Sequence, residues 1–322
     1  MQPSLILLMN TMVIGVTMTV CSNNWISMWM GMEVSMMSFI PMMMSKKKNS
    51  SQSMIKYFIM QSVASTMFLF SVVFMLVGDS MMNEMTTTIA MLIKLGVAPF
   101  HNWVLMVIES MEFFMMFIML TMMKVPPISV LYQINSSLLT MPVMISLIVS
   151  SISSLNQSSL RKMLGFSSIY NISVMITSIN SIKITLMFLM IYSMNMFMLI
   201  LTIENLKVNF INQFMLYEFS LWMKLNLWIN MLSMAGFPPL MGFLPKLMVI
   251  QELISMKQLM MVSIIMMTSM LILMFYTRMV FSSIIMSQTQ KKWMINYSKP
   301  WHFIMILNIL MTISSLSINS IN

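Results

Sequence analysis

"AGFPPLMGFLPK", residues 235–246, interrupts a run of apolar residues with three prolines, two glycines and one lysine. The flanking stretches, "NLWINMLSM" (226–234) and "LMVIQEL" (247–253), are apolar enough to form membrane helix. A proline inside a helix removes one backbone hydrogen bond and frees the carbonyl four residues earlier. Freed carbonyls survive at membrane depth only against protein or a water-filled cavity. The stretch therefore predicts a broken membrane helix that lines a polar interior, with Lys246 at the break.

The composition of the whole chain is that of an integral membrane protein. Of its 322 residues, 59% are hydrophobic and 8% are charged, whereas a soluble domain carries about 25% charged residues. Apolar residues extend along the whole length, so we expect no separate water-soluble domain. No stretch alternates with period two as the strands of a membrane barrel do. The sequence therefore predicts an all-α polytopic membrane protein.

Other features of the composition narrow the possible functions. The 54 methionines follow no spacing and are joined by no cysteine or histidine. We interpret them as apolar filler in place of Leu and Ile, rather than as a metal-binding surface. The single cysteine, Cys21, excludes an internal disulfide framework. The basic residues behind the net charge of +9 are not clustered as in a nucleic-acid binder. The first ten residues lack the pattern of a signal or transit peptide, so the first span is expected to be retained.

Eleven segments are long and apolar enough to span a bilayer, which takes roughly 20 residues. They are 4–20, 25–44, 54–77, 86–104, 113–132, 139–154, 163–181, 184–203, 225–251, 259–283 and 301–320. The ninth is too long for one straight helix and contains the opening stretch. The sixth and seventh are the least regular, because "SSISSLNQSSLRK" (150–162) between them is polar.

Lysine and arginine are divided unequally between the two sides of the predicted bundle. The loops on the N-terminal side carry Lys46, Lys47, Lys48, Arg161, Lys162, Lys207, Lys224, Lys291, Lys292 and Lys299. The opposite loops carry only Lys183 and Lys257. By the positive-inside rule the N-terminus lies in a bacterial cytoplasm or a mitochondrial matrix. An odd number of spans places the C-terminus on the other side.

Four ionisable residues lie within the predicted spans, namely Glu33, Lys94, Lys124 and Lys246. An ionisable residue at mid-bilayer costs roughly 2.5–3.5 kcal/mol on the insertion scale, so we expect all four to face the bundle interior. One glutamate cannot neutralise three lysines, which favours proton exchange over fixed ion pairs. Lys56 and Arg278 lie nearer the ends of their spans and are interpreted as snorkelling or ion-paired residues.

Each central lysine has a proline nearby in the chain. "KLGVAPFH" (94–101) lies in the fourth span and "GFPPLMGFLPK" (236–246) in the ninth. Broken helices at matching positions of two halves are the sequence pointer to an ion path. Their separation by five spans predicts two five-helix units. Because five is odd, the second unit would be inverted relative to the first.

The two histidines are the remaining candidates for proton transfer or for binding a cofactor. His101 has two interpretations, a proton relay next to Lys94 or a helix-end histidine that bonds a carbonyl. His302, beside Trp301, is interpreted as an interfacial anchor. The sequence contains no Gly-rich nucleotide loop, no cysteine cluster for iron–sulfur and no paired histidines for haem. We therefore expect this chain to hold no redox cofactor.

Five motifs in fixed order resemble the mitochondrially encoded, antiporter-like subunits of NADH–ubiquinone oxidoreductase, respiratory complex I. They are "GMEVSMMSFIP" (31–41), "KYFIMQSVASTMFLFS" (56–71), "KLGVAPFHNW" (94–103), "LNQSSLRKMLGFSSIYNI" (155–172) and "LSMAGFPPLMGFLPKLMVIQEL" (232–253). The Met-rich style resembles an insect version. The similarity runs from about residue 20 to 255, and the last two spans match only in hydropathy.

The resemblance implies two inverted five-helix antiporter-like repeats with broken helices, in approximate halves 1–154 and 155–322. It implies that Glu33 pairs with Lys94, that Lys124 is the central relay and that Lys246 is the lysine of the second half. Such a subunit couples quinone reduction elsewhere in the complex to proton pumping. NADH, FMN, iron–sulfur clusters and ubiquinone then belong to other subunits.

The resemblance also implies partners and a location. The partners are neighbouring antiporter-like subunits of the membrane arm and lipids such as cardiolipin. The location is the mitochondrial inner membrane, with the N-terminus in the matrix and the C-terminus in the intermembrane space. Two other functions stay open, a stand-alone cation/proton antiporter and a structural, non-conducting subunit of the same complex.

Some positions depart from the family pattern. Asn102 and Leu105 replace an aromatic residue and a proline, and Met122 and Met123 replace a Trp-Gln pair. Asn171 stands where relatives often have histidine, which argues against a histidine relay through the seventh span.

Overall fold

The computed structural model describes residues 3–44, 50–78, 80–134, 137–216 and 221–287. Within these ranges the chain forms helices and turns, with one isolated bridge between Ser159 and Phe210 and no β-strand. The helices are α1 (Pro3–Cys21), α2 (Trp25–Met42), α3 (Ser50–Val77), α4 (Ser80–Leu95), α5 (Asn102–Ser110), α6 (Phe113–Leu120), α7 (Val125–Ile134), α8 (Thr140–Leu155), α9 (Leu160–Thr177), α10 (Ile182–Leu206), α11 (Ile211–Leu216), α12 (Leu221–Ala235), α13 (Phe243–Ser255) and α14 (Leu259–Ser287). Short 3₁₀ turns cover Met122–Lys124 and Ser137–Leu139. The all-helical prediction is confirmed for this part of the chain.

The first ten predicted spans coincide with helical segments. Three of them are interrupted: the fourth comprises α4 and α5, the fifth comprises α6 and α7, and the ninth comprises α12 and α13. The predicted span 301–320 lies outside the described residues, so the count of eleven stays a prediction. Five helical segments in the described ranges are long and apolar enough to cross a membrane by length and composition. They are Pro3–Cys21, Ser50–Met75, Phe113–Ile134, Ile182–Leu206 and Leu259–Phe281.

Helix α9 explains why hydropathy alone describes the middle of the chain poorly. It contains "SSIYNIS" (167–173), yet every residue from Met163 to Ile176 is buried. A helix that is covered by protein on all sides has no lipid-facing surface, so it can carry serine and asparagine where a lipid-exposed helix would carry leucine. The polar composition of this segment thus reflects its central position in its bundle.

The chain divides into two compact units, and the division falls within α8. The first unit contains residues 1–146 and 179–182, and the second contains residues 147–178 and 183–322. In the first unit α1 and α2 pack along each other, α3 packs against α4 and α5, and α7 packs against α1 and α4. The close approach of α1 and α2 depends on Gly15 and Gly31, because a Cβ atom on Gly15 would lie 2.8 Å from the Gly31 carbonyl oxygen.

The second unit is built around α9 and the broken pair α12 and α13. Helix α13 packs against α9 and α14, while α11 and α12 also pack against α14. The loop that follows α10 is tied to the start of α9 by two backbone hydrogen bonds, Leu160 N to Asn209 O and Ile211 N to Ser158 O, each of 3.1 Å. Because α13 packs against α9, the break between α12 and α13 lies beside this buried helix.

Candidate functional site

Helix α4 ends inside the fourth predicted span, and its last carbonyls are satisfied by the surrounding protein. Gly96 follows the helix with φ of +68°, a left-handed conformation that glycine adopts without steric cost. The amides of Gly96 and Val97 donate to the Leu92 carbonyl at 2.9 and 3.1 Å. The indole Nε1 of Trp103 donates to the Ile93 carbonyl at 3.0 Å. These bonds satisfy two of the four carbonyls that a helix C-terminus leaves without intrahelical partners.

The remaining two carbonyls of α4 are satisfied by side chains from other helices. Gln61 Nε2 of α3 donates to the Lys94 carbonyl at 3.4 Å. The ammonium of Lys124, at the 3₁₀ turn in the fifth span, donates to the carbonyl of Leu95, the last residue of α4. A cation at a helix C-terminus is favourable because that end carries a partial negative charge. The break is therefore closed by a buried lysine of the neighbouring span.

The side chain of Lys94 points away from the break towards α2. Its ammonium donates to the thioether sulfur of Met32 at 3.5 Å. The next residue of α2, Glu33, is half-buried and interacts through its charge with Lys94 and with Tyr57. Lys94 thus lies between a soft acceptor in direct contact and a carboxylate at longer range.

Lys94 and Lys124 line the same cavity in the first unit. The polar side chains that share it with the two lysines are Ser35, Tyr57, Gln61 and Trp103. The two lysines are 7% and 3% exposed, so both are buried in the first unit.

The second break repeats the backbone pattern of the first. Gly236 follows α12 with φ of +80°, and the amides of Gly236 and Phe237 both donate to the Leu232 carbonyl at 3.1 Å. The carbonyl of Ala235, the last residue of α12, accepts a hydrogen bond of 2.6 Å from the ammonium of Lys246. Here the lysine comes from the opposite limb of the same broken span.

The two glycines of this break are required by close approaches. A Cβ atom on Gly236 would lie 2.8 Å from the Lys246 ammonium nitrogen. A Cβ atom on Gly242 would lie 1.7 Å from the Ser233 carbonyl oxygen. A methyl group at Gly242 would meet the backbone and one at Gly236 would displace the lysine, so the two glycines allow α12 and the start of α13 to meet closely around Lys246.

Lys246 lines a second cavity, in the second unit. The lysine is 5% exposed, and the cavity it shares is lined by the polar side chains of Asn171, Tyr192, Asn195 and Ser233. On another side the ammonium lies 5.3 Å from the ring centroid of Tyr170. The cavity thus brings polar side chains and apolar ones, Phe188, Ile191 and Met234, together around the lysine.

The two breaks also share sequence. "IAMLIKLGVAPF" (89–100) and "INMLSMAGFPPL" (229–240) have the same residue at the positions of Ile89, Met91, Leu92, Gly96 and Pro99. The peptide bonds Ala98–Pro99 and Pro238–Pro239 are both cis. Lys94 is not among the shared residues, because its position in the second stretch is occupied by Met234.

Comparison with known proteins identifies the family. The sequence profile described as NADH:quinone oxidoreductase/Mrp antiporter, TM, matches residues 22–81 and 76–272. NADH-ubiquinone oxidoreductase chain 2 of Anopheles gambiae is 31% identical over 88% of this chain and 87% of its own length. The chain belongs to the NADH-ubiquinone oxidoreductase chain 2 family. The chain 2 protein of Locusta migratoria is 32% identical over 97% of this chain and 94% of its own length.

A solved structure supports the chain 2 fold independently of close sequence similarity. A chain of respiratory complex I from Thermus thermophilus superposes with a TM-score of 0.83, at 17% sequence identity. The match covers 97% of this chain and 78% of that one. The fold is therefore shared with that chain, and the profile and the relatives confirm the predicted membership of the family.

The structure places the predicted chain 2 site residues in two groups. Glu33, Lys94 and Lys124 belong to the first unit, and Lys246 belongs to the second. The first two lysines share a cavity. The ammonium of Lys94 contacts the sulfur of Met32 directly, and its pairing with Glu33 stays a prediction. The roles of these four residues in proton transfer stay predictions.

The other ionisable residues lie in different settings. His101 precedes the first residue of α5 and is half-buried. Its two interpretations, a proton relay and a helix-end histidine that bonds a carbonyl, both stay predictions. Lys56 and Arg278 are exposed in this chain, as expected of snorkelling residues, and the Lys56 ammonium contacts the sulfur of Met106 at 3.9 Å. His302 lies outside the described residues.

Sequence reasoning missed three residues that the structure brings to the site. Gln61 and Trp103 satisfy carbonyls of α4, and Tyr170 faces Lys246. A buried glutamate on α13, Glu252 at 8% exposure, was also missed. Glu252 was missed because the predicted span ended at residue 251, while α13 continues to Ser255. Gln61, Trp103 and Tyr170 carry no signal in the single sequence, because each acts on a residue of a different helical segment.

Proposed function

We propose that this chain is a proton-translocating, antiporter-like subunit of the membrane arm of respiratory complex I. Its proton relay would consist of Glu33, Lys94, Lys124 and Lys246, with His101 as a further candidate. Quinone reduction in other subunits would supply the free energy, and NADH, FMN, the iron–sulfur clusters and ubiquinone would be bound there. The chain's own contribution is to bind, hold and release protons on buried side chains.

One observation carries this proposal: in the fourth and ninth spans, the helix before the break ends on a carbonyl that accepts a hydrogen bond from a buried lysine ammonium. The pairs are Leu95 with Lys124 and Ala235 with Lys246. A hydrogen bond to a charged group contributes roughly 1.5–3 kcal/mol, and the partial charge of the helix end adds to it. Loss of the proton removes the charge and so weakens the contact. A change of protonation is thereby linked to the position of the lysine at the break.

The order of events follows from the arrangement along the chain. A shift of charge at Glu33 and Lys94 would change the proton affinity of Lys124, which shares the cavity with Lys94. The effect would then pass to Lys246 in the second unit. Such long-range coupling needs elements with two discrete arrangements, and the breaks at Gly96 and Gly236 supply short non-helical segments where such a change can occur.

The proposal includes a topology and a location. The halves 1–154 and 155–322 would be inverted repeats of five helices. The protein would lie in the mitochondrial inner membrane, with its N-terminus in the matrix and its C-terminus in the intermembrane space, as the distribution of loop lysines indicates. Its partners would be the neighbouring antiporter-like subunits and lipids such as cardiolipin.

The experiment that tests the proposal compares two lysine variants in the assembled complex in proteoliposomes. Lys246→Ala removes the buried cation, and Lys183→Ala removes an exposed one at the start of α10 as the matched control. We expect Lys246→Ala to lower the number of protons pumped per NADH oxidised and Lys183→Ala to leave it unchanged. Unchanged pumping by assembled Lys246→Ala would mean that Lys246 has a structural role instead.

A stand-alone cation/proton antiporter is the second candidate, because the family profile also covers Mrp antiporters. The purified chain, reconstituted alone, distinguishes the two. A stand-alone antiporter exchanges protons for sodium down an imposed gradient without NADH. We expect no such exchange from the isolated chain, because the free energy for pumping would come from the other subunits.

A further inference from the structure

Tyr170 is placed on the buried helix of the second unit, next to the Lys246 ammonium. It is 1% exposed and lies on α9, against which α13 packs. The distance from the Lys246 nitrogen to the centre of the Tyr170 ring is 5.3 Å. An ammonium within about 6 Å of a ring centroid is attracted by the negative potential of the ring face. Because the residue is buried, water screens this attraction little.

The other contacts of the Lys246 ammonium limit where it can move. It donates to the Ala235 carbonyl at 2.6 Å, and the backbone of Gly236 passes so close that a Cβ atom there would lie 2.8 Å from the nitrogen. The lysine is therefore held between the end of α12 and the ring of Tyr170. Of these groups, only Tyr170 belongs to a helix outside the broken span.

We propose that Tyr170 is the positioning residue of Lys246, which holds the charged ammonium against the Ala235 carbonyl through its ring face. This inference rests on the proposed role of Lys246 in proton transfer. A ring face attracts the ammonium but has no charge to attract in the neutral amine. The ring therefore helps to define the position of the protonated lysine and releases the side chain towards the cavity lined by Asn171 and Asn195 when the proton leaves.

The proposal predicts that the ring, and not the hydroxyl, is required. Tyr170→Phe keeps the ring face and Tyr170→Leu replaces it with an apolar side chain that has no such face. A cation–π contact contributes about 0.5–2 kcal/mol, so its loss would lower the population of the held lysine about 2- to 30-fold. We expect the pumping rate to fall about 2- to 30-fold in Tyr170→Leu. Tyr170→Phe should pump like the unmodified complex.

The experiment measures the rate of proton pumping with NADH in proteoliposomes that contain the assembled complex, with each rate divided by the amount of assembled complex. Tyr170→Ile replaces Tyr170→Leu if the leucine variant does not assemble. Equal pumping by Tyr170→Leu and the unmodified complex would overturn the proposal, and so would a loss of the same size in Tyr170→Phe. Normal pumping in Tyr170→Phe shows that the ring acts without its hydroxyl.

Lys246→Ala in the same series separates this inference from the proposed function. Reduced pumping in Lys246→Ala together with normal pumping in Tyr170→Leu would reject the role of Tyr170 and keep the proposed function. Normal pumping in Lys246→Ala would reject the role of Lys246 itself, and the role of Tyr170 with it.

Discussion

The ammonium of Lys124 donates a hydrogen bond to the carbonyl oxygen of Leu95, the residue at which α4 ends. The lysine belongs to the fifth predicted span and the carbonyl to the fourth, so the bond joins two spans at the point where one of them breaks. In the second unit Lys246 makes the equivalent bond to Ala235 from within its own span. In both units, a lysine ammonium thus bonds the last carbonyl before a break, although the two lysines come from different positions relative to it.

Replacement of Lys124 by arginine separates a proton relay from a fixed structural cation. Arginine stays charged under physiological conditions, so Lys124→Arg keeps a cation at the end of α4 but does not release a proton. We expect this variant to assemble and to oxidise NADH but to pump fewer protons. Lys124→Met, which leaves the Leu95 carbonyl without its partner, should in addition reduce the amount of assembled complex on native gels. Full pumping by Lys124→Arg would favour the non-conducting structural role.

Replacement of Gly236 by alanine tests the need for space around Lys246. Gly236 has φ of +80° and no room for a Cβ atom, whereas Gly78 has φ of +98° and no atom within 4 Å of the added Cβ. Alanine in a left-handed conformation costs about 1–2 kcal/mol at either position, but only Gly236→Ala also displaces the lysine. We expect Gly78→Ala to lower thermal stability slightly and pump normally, and Gly236→Ala to lose pumping. Equal behaviour of the two variants would argue that crowding at Lys246 is unimportant.

Replacement of Trp103 by phenylalanine tests the capping of α4. The variant keeps an aromatic side chain but loses the 3.0 Å hydrogen bond to the Ile93 carbonyl. A lost hydrogen bond of this kind costs about 1 kcal/mol, which corresponds to about 5-fold faster local opening. Hydrogen exchange of the amides in residues 89–97 should therefore accelerate by that factor in Trp103→Phe. Trp25→Phe, at the start of α2 where the ring lies near Phe68, is the control and should leave the exchange unchanged.

The single cysteine offers a test of the proposed orientation. Cys21 ends α1 and is exposed, so an N-terminus in the matrix places its thiol on the intermembrane-space side. In mitochondria stripped of their outer membrane, a membrane-impermeant maleimide should label Cys21 without detergent. Trypsin should cleave after Lys46, Lys47 or Lys48 only once the inner membrane is permeabilised. Labelling of Cys21 that requires detergent, together with cleavage that does not, would reverse the orientation.

The positions of the helix breaks could be predicted from the sequence, but the residues that surround them could not. Glycine and proline act on their own backbone, so "KLGVAPFH" and "GFPPLMGFLPK" indicated the interruptions that lie at residues 96–101 and 236–242. The partners of the freed carbonyls depend on which side chains other helices present at that depth. Gln61, Trp103 and Tyr170 were therefore visible only in the folded chain.

The sequence by itself determined that this protein is an all-helical membrane protein with costly buried charges. Those properties depend on local composition, on the price of an ion in hydrocarbon and on the loss of backbone bonds at proline. Only the tertiary structure decided that α9 is buried on all sides and that Lys94 contacts Met32. It also decided that Lys124 and Lys246 bond the last carbonyls of α4 and α12. Contacts between helices depend on the rotation and depth of each helix in its bundle. These are set by the packing of all the helices together, so they cannot be derived from one segment of sequence at a time.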